Sequence, residues 1–475
     1  MRKLKKETII NLIVFVLFAV LTFIVGLHHE PWADEAQAWL IARDCTIPEM
    51  IFHVLKYEGA PVLWFAILRV LNLLHYPYQL LFSISWMAVC IGVYLLLFKS
   101  KLPLVIKYLF PFSYFVFYQS AIVARNHSLV FPFLAGVAVF YKHRFEHPWC
   151  YSLLLILLAS LSAYSFAIAF VLLCFFVLDI IRTKSYKIKS LLPPLIVLIL
   201  MGLTALSLIK PADYTISYGL NLMRLNPFRI LYITTRGYFN TPPFSIILVI
   251  QMLSVLAIYI LSAKTFCKTK YQTIFFISIN FFLAIMITAL VCNPWHSAYM
   301  IITLIFSLWV ISEDNKNYEI SFNKNKCLYI VLALIFTVHI FWNMKCSLYD
   351  YKNNYCASKD VAQFLKANNL INQKIDGLGF RTVAIVPYLE GKIYENYSGK
   401  SYWEWKKSFY DEQKRTDKEF SPVVILDVAV AGEYKNMIPL LDNNYKRYKF
   451  EGCLCAKGNL IQAESFIVFI KKPSD

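Results

Sequence analysis

Long apolar runs separated by short polar loops make up most of this chain. A helix needs roughly 20 apolar residues to cross the hydrocarbon core of a bilayer, and it satisfies its own backbone hydrogen bonds there. The pattern therefore predicts an α-helical polytopic membrane protein with about 11–13 transmembrane helices. The runs are 8–27, 61–75, 79–98, 103–121, 124–141, 150–164, 166–181, 191–209, 243–262, 272–291, 297–312 and 327–344.

The pattern changes after residue 345. Residues 360–368 have the spacing of a short amphipathic helix, and 382–386, 423–426 and 466–470 are short β-branched runs typical of strands. We therefore expect a transmembrane domain over 1–345, with outer loops at 28–60 and 210–242, and a small soluble α/β domain over 346–475.

The charges lie in loops rather than in one basic surface. The chain has a net charge of +18, yet its Lys and Arg residues cluster at Met1–Lys6, Lys142–Arg144, Arg182–Lys189 and Lys264–Lys270. This distribution follows the positive-inside rule, so it excludes nucleic acid as the partner and marks those loops as cytoplasmic. The final apolar run then carries the tail outside, which requires an odd number of crossings. One run, either 103–121 or one of the pair 150–164 and 166–181, is expected not to cross fully.

The candidate chemistry follows the first apolar run. Pro31 suits the start of a helix, and Asp34 and Glu35 would lie in its first turns, where the helix dipole favours negative charge. The spacing predicts a short helix on the membrane surface that presents two adjacent carboxylates. Acidic residues at a helix N-terminus are also common in purely structural helices. The segment reads His28-His29-Glu30-Pro31-Trp32-Ala33-Asp34-Glu35-Ala36-Gln37-Ala38-Trp39-Leu40-Ile41-Ala42-Arg43-Asp44.

The acidic pair directly after a first membrane helix resembles the signature of GT-C glycosyltransferases. That superfamily includes the protein O-mannosyltransferases and the enzymes that add aminoarabinose to lipid A. The stretch 32–44 is similar to a bacterial branch of it, and 57–64 resembles that branch's second motif. The branch has His before Pro61, whereas this chain has Ala60, so any role of that His is missing or moved.

The resemblance implies a GT-C fold in a bacterial cytoplasmic membrane, with the active site at the outer face. The donor would be a sugar on a polyprenyl phosphate, and the acceptor a lipid, glycan or protein. Asp34 would be the general base, and Glu35 would assist it, orient the acceptor or help to bind a metal. Oxygen ligands suit Mg²⁺ or Mn²⁺, but Arg or Lys can stabilise a phosphate leaving group instead, so metal dependence stays open.

Three further residues are candidates for the substrate site. Glu58 lies in the second motif, and its alternative is a solvated loop acid. Arg125 lies between two apolar runs, where it could bind the donor phosphate or serve as an interfacial anchor. His296 follows Asn293-Pro294-Trp295 on the predicted outer side, where it could face the substrate, although a simple interfacial turn would have the same sequence.

Two other functional classes remain open on sequence alone. A transporter or flippase of lipid-linked sugars would often show paired halves with broken helices, which we do not find in the sequence. A polysaccharide polymerase or ligase would carry its key residues in late loops, whereas the acidic pair here is early. Of the 11 cysteines, Cys346, Cys356, Cys453 and Cys455 lie in the predicted outer tail, where disulfides can form but spacing does not reveal their pairing.

Overall fold

The computed structural model describes residues 2–215, 221–241, 245–290, 293, 295–314, 325–389, 391, 394–414, 419–462 and 464–473. Helices dominate as far as residue 367, and the strands follow. The helices are α1 Arg2–His28, α2 Ala33–Asp44, α3 Ile47–Glu49, α4 Leu55–Glu58, α5 Leu63–Leu73, α6 Phe82–Lys99, α7 Leu104–Leu109, α8 Val130–Tyr141, α9 Pro148–Ala159, α10 Ala163–Thr183, α11 Ile188–Ser207, α12 Pro227–Thr235, α13 Ile246–Phe266, α14 Lys270–Ala289, α15 Ala298–Asp314, α16 Lys326–Lys352, α17 Ser358–Ala367, α18 Lys407–Gln413 and α19 Ile438–Asn444.

Seven helices in the described part of the chain are long and apolar enough to cross a membrane, as expected for a polytopic integral membrane protein. Apolar runs 61–75, 124–141 and 150–164 form shorter helices, so the 11–13 full crossings predicted by hydropathy are not matched by helices of full length. The seven segments are Lys6–His28, Tyr78–Lys99, Ala163–Thr183, Ile188–Ser207, Ile246–Phe266, Lys270–Ala289 and Lys326–Lys352.

The run 103–121 is not a continuous helix. It forms α7, a 3₁₀ turn over Phe110–Phe112 and a π-helix over Phe115–Ser120. Pro111 lies in the middle of the run, where it lacks a backbone N–H and cannot extend the regular pattern of α7. This is one of the runs that the sequence predicts not to cross the membrane fully.

The chain packs into two compact units. The first comprises Met1–Ile24, Ser83–Leu208 and Tyr218–Met344; the second comprises Val25–Phe82, Ile209–Ser217 and Lys345–Asp475. The second unit thus joins the first predicted outer loop to the tail.

The first unit is built around α15. Every residue from Ala298 to Ser312 is buried, and α8, α13 and α14 pack against this helix. By contrast, α11 and α13 bury only 28% of their most apolar windows, and large apolar side chains such as Leu203 and Leu253 are exposed. A helix with a broad unburied apolar face is suited to lipid rather than water.

The second unit contains a mixed sheet in the order β1-β2-β6-β3 and a separate β4–β5 hairpin. The β1–β2 pair is parallel, whereas β6 pairs antiparallel with both β2 and β3. The strands are β1 Ile375–Leu378, β2 Val423–Asp427, β3 Tyr445–Phe450, β4 Cys453–Ala456, β5 Asn459–Gln462 and β6 Phe466–Lys471. The strands expected at 423–426 and 466–470 and the helix expected at 360–368 are confirmed.

The strand expected at 382–386 is wrong. Phe380–Ala384 forms a 3₁₀ helix after Gly379, whose φ is +95°. A Cβ atom on Gly379 would approach Val430 Cγ2 to 2.6 Å, so glycine permits both the left-handed turn and the close packing. A short β-branched run does not distinguish a buried strand from a buried turn.

The tail has its own hydrophobic core, and this gives a test of the fold. Leu441 is fully buried in that core, whereas its neighbour Leu440 is 49% exposed on α19. We expect Leu441→Ala to cost about 2–5 kcal/mol of stability. The matched change Leu440→Ala should cost under about 1 kcal/mol. Thermal unfolding of the full-length protein in detergent should separate the two variants, and equal melting temperatures would contradict this packing.

Candidate functional site

Helix α2, which carries the acidic pair, is enclosed by the second unit rather than lying exposed on a surface. Ala33 and residues 35–42 are all buried, and α5 and the turn Phe380–Ala384 pack against the helix. The helix predicted from the spacing is confirmed, but it is covered by other parts of the second unit, and its position at the membrane surface stays a prediction. Small Ala and long apolar side chains occur all around α2, which allows neighbours to approach every side.

The two predicted catalytic carboxylates have different surroundings. Glu35 is 1% exposed, and its Oε2 accepts hydrogen bonds from Trp32 N and His29 Nε2, both at 3.2 Å. The first bond closes the N-terminus of α2, where backbone N–H groups have no partner within the helix. Asp34 is only partly buried. Adjacent positions on a helix point about 100° apart, so the two acids need not share a function.

His29 lies between two carboxylates. Its Nδ1 is 2.7 Å from Asp350 Oδ2, and its Nε2 is 3.2 Å from Glu35 Oε2. Burial opposes the charged imidazolium, but Asp350 and Glu35 outweigh this effect and raise the pKa of His29 to about 10. Both ring nitrogens therefore carry protons at neutral pH and donate to the two acids.

A pair of tail residues, Arg381 and Glu464, lies next to α2. Arg381 Nε is 3.2 Å from Glu464 Oε1, and Arg381 Nη1 is 3.5 Å from Asp427 Oδ1. Burial raises the pKa of Glu464 well above its usual range, the Arg381 charge opposes this shift, and Asp427 and Asp34 add to it. Asp34 and Glu464 are thus electrostatic neighbours, and the turn that carries Arg381 packs directly on α2.

Gln37 connects α2 to the predicted substrate residue Glu58. Its Nε2 donates to Glu58 Oε1 at 2.8 Å and to Trp403 O at 2.7 Å, and its Oε1 accepts from Trp403 N at 2.9 Å. Gln37 follows Asp34 by three positions, so the two side chains share one face of α2.

Glu58 lines a cavity of about 240 Å³ within the second unit. The walls combine aromatic rings with carboxylates, amines and an imidazole, and part of the wall is the π-helix Met50–Val54. Aromatic faces beside fixed polar groups can pack on a sugar ring and bond its hydroxyls. The lining residues are Glu49, His53, Val54, Tyr57, Glu58, Lys400, Tyr402, Trp403, Glu404, Trp405 and Lys406.

Arg125 and His296 lie in the first unit, where they share a neighbour. The His127 and His296 rings are 5.8 Å apart at 86°, and Arg125 also acts electrostatically on His127. The Arg125 guanidinium lies 5.8 Å from the Trp295 ring centroid. The two sequence candidates are therefore brought together around His127, which is half-buried.

His127 Nε2 is buried and has no hydrogen-bond partner within the part of the chain that the structure describes. Beside it is a cavity of about 10 Å³, also lined by Gln119, Ser120 and Tyr299, which has room for about one water molecule. This cluster offers a cation and an imidazole to an anion.

Sequence reasoning missed His29, Gln37, Arg381 and Glu464. The first two lie within the quoted motif, so their position beside the acids was the available signal. The other two lie far along the chain and carry no recognisable spacing. Among the described residues, no group of three or more His, Cys, Asp or Glu side chains is arranged to hold a metal ion. No protein-family model matches the chain, and no curated protein matches it.

The His29 ion pairs predict a pH dependence of stability. The folded-state pKa of about 10 lies above the unfolded value of 6.5, so this stabilisation is complete below about pH 6.5 and is lost as the pH rises through about 10. We expect His29→Gln to cost about 3–5 kcal/mol at neutral pH, because two buried carboxylates lose their cation. Thermal unfolding at several pH values checks this. Between about pH 6.5 and 10, the melting temperature of the wild type should fall more steeply than that of His29→Gln. Equal slopes would argue against the charged triad.

Proposed function

We propose that the protein is a glycosyltransferase of the GT-C type that transfers a sugar from a polyprenyl-phosphate donor to an acceptor at the outer face of the membrane. The observation that carries the proposal is the contrast between the two acids of α2. Glu35 is buried and bonded to His29 and to the helix N-terminus, whereas Asp34 is partly exposed. Asp34 shares one face of α2 with Gln37, which donates to Glu58 at the wall of the mixed aromatic and polar cavity.

In this proposal Asp34 is the general base. Its carboxylate takes the proton from an acceptor hydroxyl, and the hydroxyl oxygen forms a bond to the anomeric carbon of the donor sugar. The bond between that carbon and the phosphate oxygen breaks, and the electron pair leaves with the polyprenyl phosphate. A base of this kind typically contributes 10²–10⁴-fold to the rate.

Glu35 and His29 are positioning residues in this assignment, because they fix the first turn of α2 rather than touch substrate. The tail supplies Arg381 and Glu464 beside the base. Burial raises the pKa of Glu464 although Arg381 opposes the shift, so Glu464 holds its proton more tightly than an exposed acid would and adds less negative charge near Asp34.

The cavity beside Glu58 is assigned to the acceptor. All of its lining residues come from segments outside the seven long apolar helices, which favours a water-exposed sugar over a lipid chain. Gln37 holds the Glu58 carboxylate at the cavity wall, where it can accept from sugar hydroxyls.

The donor phosphate is assigned to Arg125, with His127 and His296 as its neighbours. All three residues belong to the first unit. A guanidinium can bind phosphate oxygens through two parallel N–H bonds, and it stays charged at every physiological pH.

The base assignment is tested with Asp34→Asn. We expect turnover of a radiolabelled polyprenyl-phosphate sugar to fall at least about 100-fold, because asparagine cannot accept the proton. The matched control is Asp411→Asn on α18, where the carboxylate is exposed. The assay uses a panel of such donors with extracted membrane acceptors, and thermal unfolding verifies that each variant is folded. Equal turnover by wild type and Asp34→Asn would refute the base. If the wild type consumes no donor, the flippase hypothesis is tested next, by measuring the flipping of a labelled lipid-linked sugar.

The phosphate assignment is tested with Arg125→Gln. We expect KM for the donor to rise about tenfold or more, since a charged hydrogen bond contributes about 1.5–3 kcal/mol. Arg447→Gln, on the exposed side of β3, is the control and should leave KM unchanged. A lower kcat with unaltered KM for Arg125→Gln would point to a role other than binding of the ground-state phosphate.

A further inference from the structure

Two tail cysteines lie in direct contact in the second unit. Cys346 Sγ and Cys455 Sγ are 3.1 Å apart, and the side chains are 0% and 1% exposed. Cys346 lies near the C-terminal end of α16, and Cys455 lies on β4, so 109 positions separate them in the sequence.

We propose that Cys346 and Cys455 form a disulfide in the mature protein. Sulfur atoms in a disulfide are about 2.05 Å apart, so the two thiols need to approach by about 1 Å. Gly458 N lies 3.3 Å from Cys346 Sγ, at the tight turn that joins β4 to β5. This turn fixes the hairpin against the helix, so the sulfurs are held near the bonding position without a change of fold.

The oxidation step is a thiol–disulfide exchange. Both sulfurs are buried in the folded protein, so the exchange takes place while the tail folds and the pair is still accessible. Cys455 attacks the disulfide of an extracytoplasmic thiol oxidoreductase and forms a mixed disulfide, and Cys346 then displaces the oxidoreductase sulfur. Two protons and two electrons leave the pair, and the oxidoreductase disulfide becomes two thiols.

The disulfide would restrain the part of α16 that carries Asp350. Cys346 precedes Asp350 by four positions, so both lie on one face of α16. Asp350 holds His29, and His29 holds the first turn of α2. The disulfide would therefore fix the helix face on which the charged triad is built.

This inference rests on the proposed placement of the tail outside the cytoplasm, where disulfides persist. The other two tail cysteines are natural controls. Cys453 is only partly buried, with Sγ 3.6 Å from Ile461 O, and Cys356 Sγ lies 3.6 Å from Glu464 Oε2. Within the described part of the chain neither sulfur contacts another cysteine sulfur, so we expect both to remain thiols.

The experiment is peptide mapping of the full-length protein, purified without reductant from a host with an oxidising extracytoplasmic space. Free thiols are blocked with N-ethylmaleimide in denaturant before digestion. We expect a linked peptide that contains Cys346 and Cys455, and its loss in Cys455→Ser but not in Cys453→Ser. Reductant should lower the melting temperature of the wild type by about 5 °C or more and leave the double variant Cys346→Ala/Cys455→Ala unaffected.

The side of the membrane on which the tail lies is determined separately, by labelling intact cells that carry Lys446→Cys, an exposed position of β3, with a membrane-impermeant maleimide. A labelled tail with both Cys346 and Cys455 alkylated, or with Cys346 linked to Cys453 instead, overturns the pairing. An unlabelled tail with free thiols overturns the extracytoplasmic placement and the disulfide with it, while the assignment of Asp34 is judged by turnover alone.

Discussion

A single buried cation holds the acidic helix in place. Protonated His29 joins Glu35 on α2 to Asp350 on α16, and all three side chains are buried. Burying charge is costly, and removal of one partner leaves the others uncompensated. The geometry of the first turn of α2, and with it the direction of Asp34, therefore depends on a proton that His29 retains at neutral pH.

The rest of the second unit supports α2 along its length. The backbone of Trp403 and the carboxylate of Glu58 hold Gln37 in the middle of the helix. Arg69 of α5 donates to the carbonyl of Ala42, near the C-terminus, where carbonyl groups lack partners and a positive charge is favoured. Three kinds of interaction thus position this helix of 12 residues: an ion pair, an amide bridge and a guanidinium cap.

The sequence predicted those elements whose position depends on nearby residues. Pro31 and the acidic pair indicated where α2 begins, and the β-branched runs at 423–426 and 466–470 formed the central strands. Burial of α2 was not predicted, because its Ala-rich faces are equally compatible with a surface. The run at 382–386 was misassigned because its turn depends on Gly379 packing against Val430, which is a tertiary contact.

The sequence indicated the acidic residues of the candidate site but not the tail residues that lie next to them. Asp34, Glu35 and Glu58 were found because they lie within two adjacent motifs. Arg381 and Glu464 approach α2 only through the fold of the tail, so no spacing in the sequence joins them to Asp34. Arg125 and His296 were found separately, and the packing of the first unit brings both beside His127.

The place of β6 in the sheet has a consequence for how the protein is made. This strand lies between β2 and β3, although it is the last strand in chain order. During synthesis α2 emerges early, but the sheet that supports the turn Phe380–Ala384, which packs on α2, cannot close until β6 has been translated. Through most of translation α2 therefore lacks the tail residues that pack against it in the folded protein. A ribosome that stalls before this point would leave a protein with its long apolar helices but without the closed sheet of the second unit.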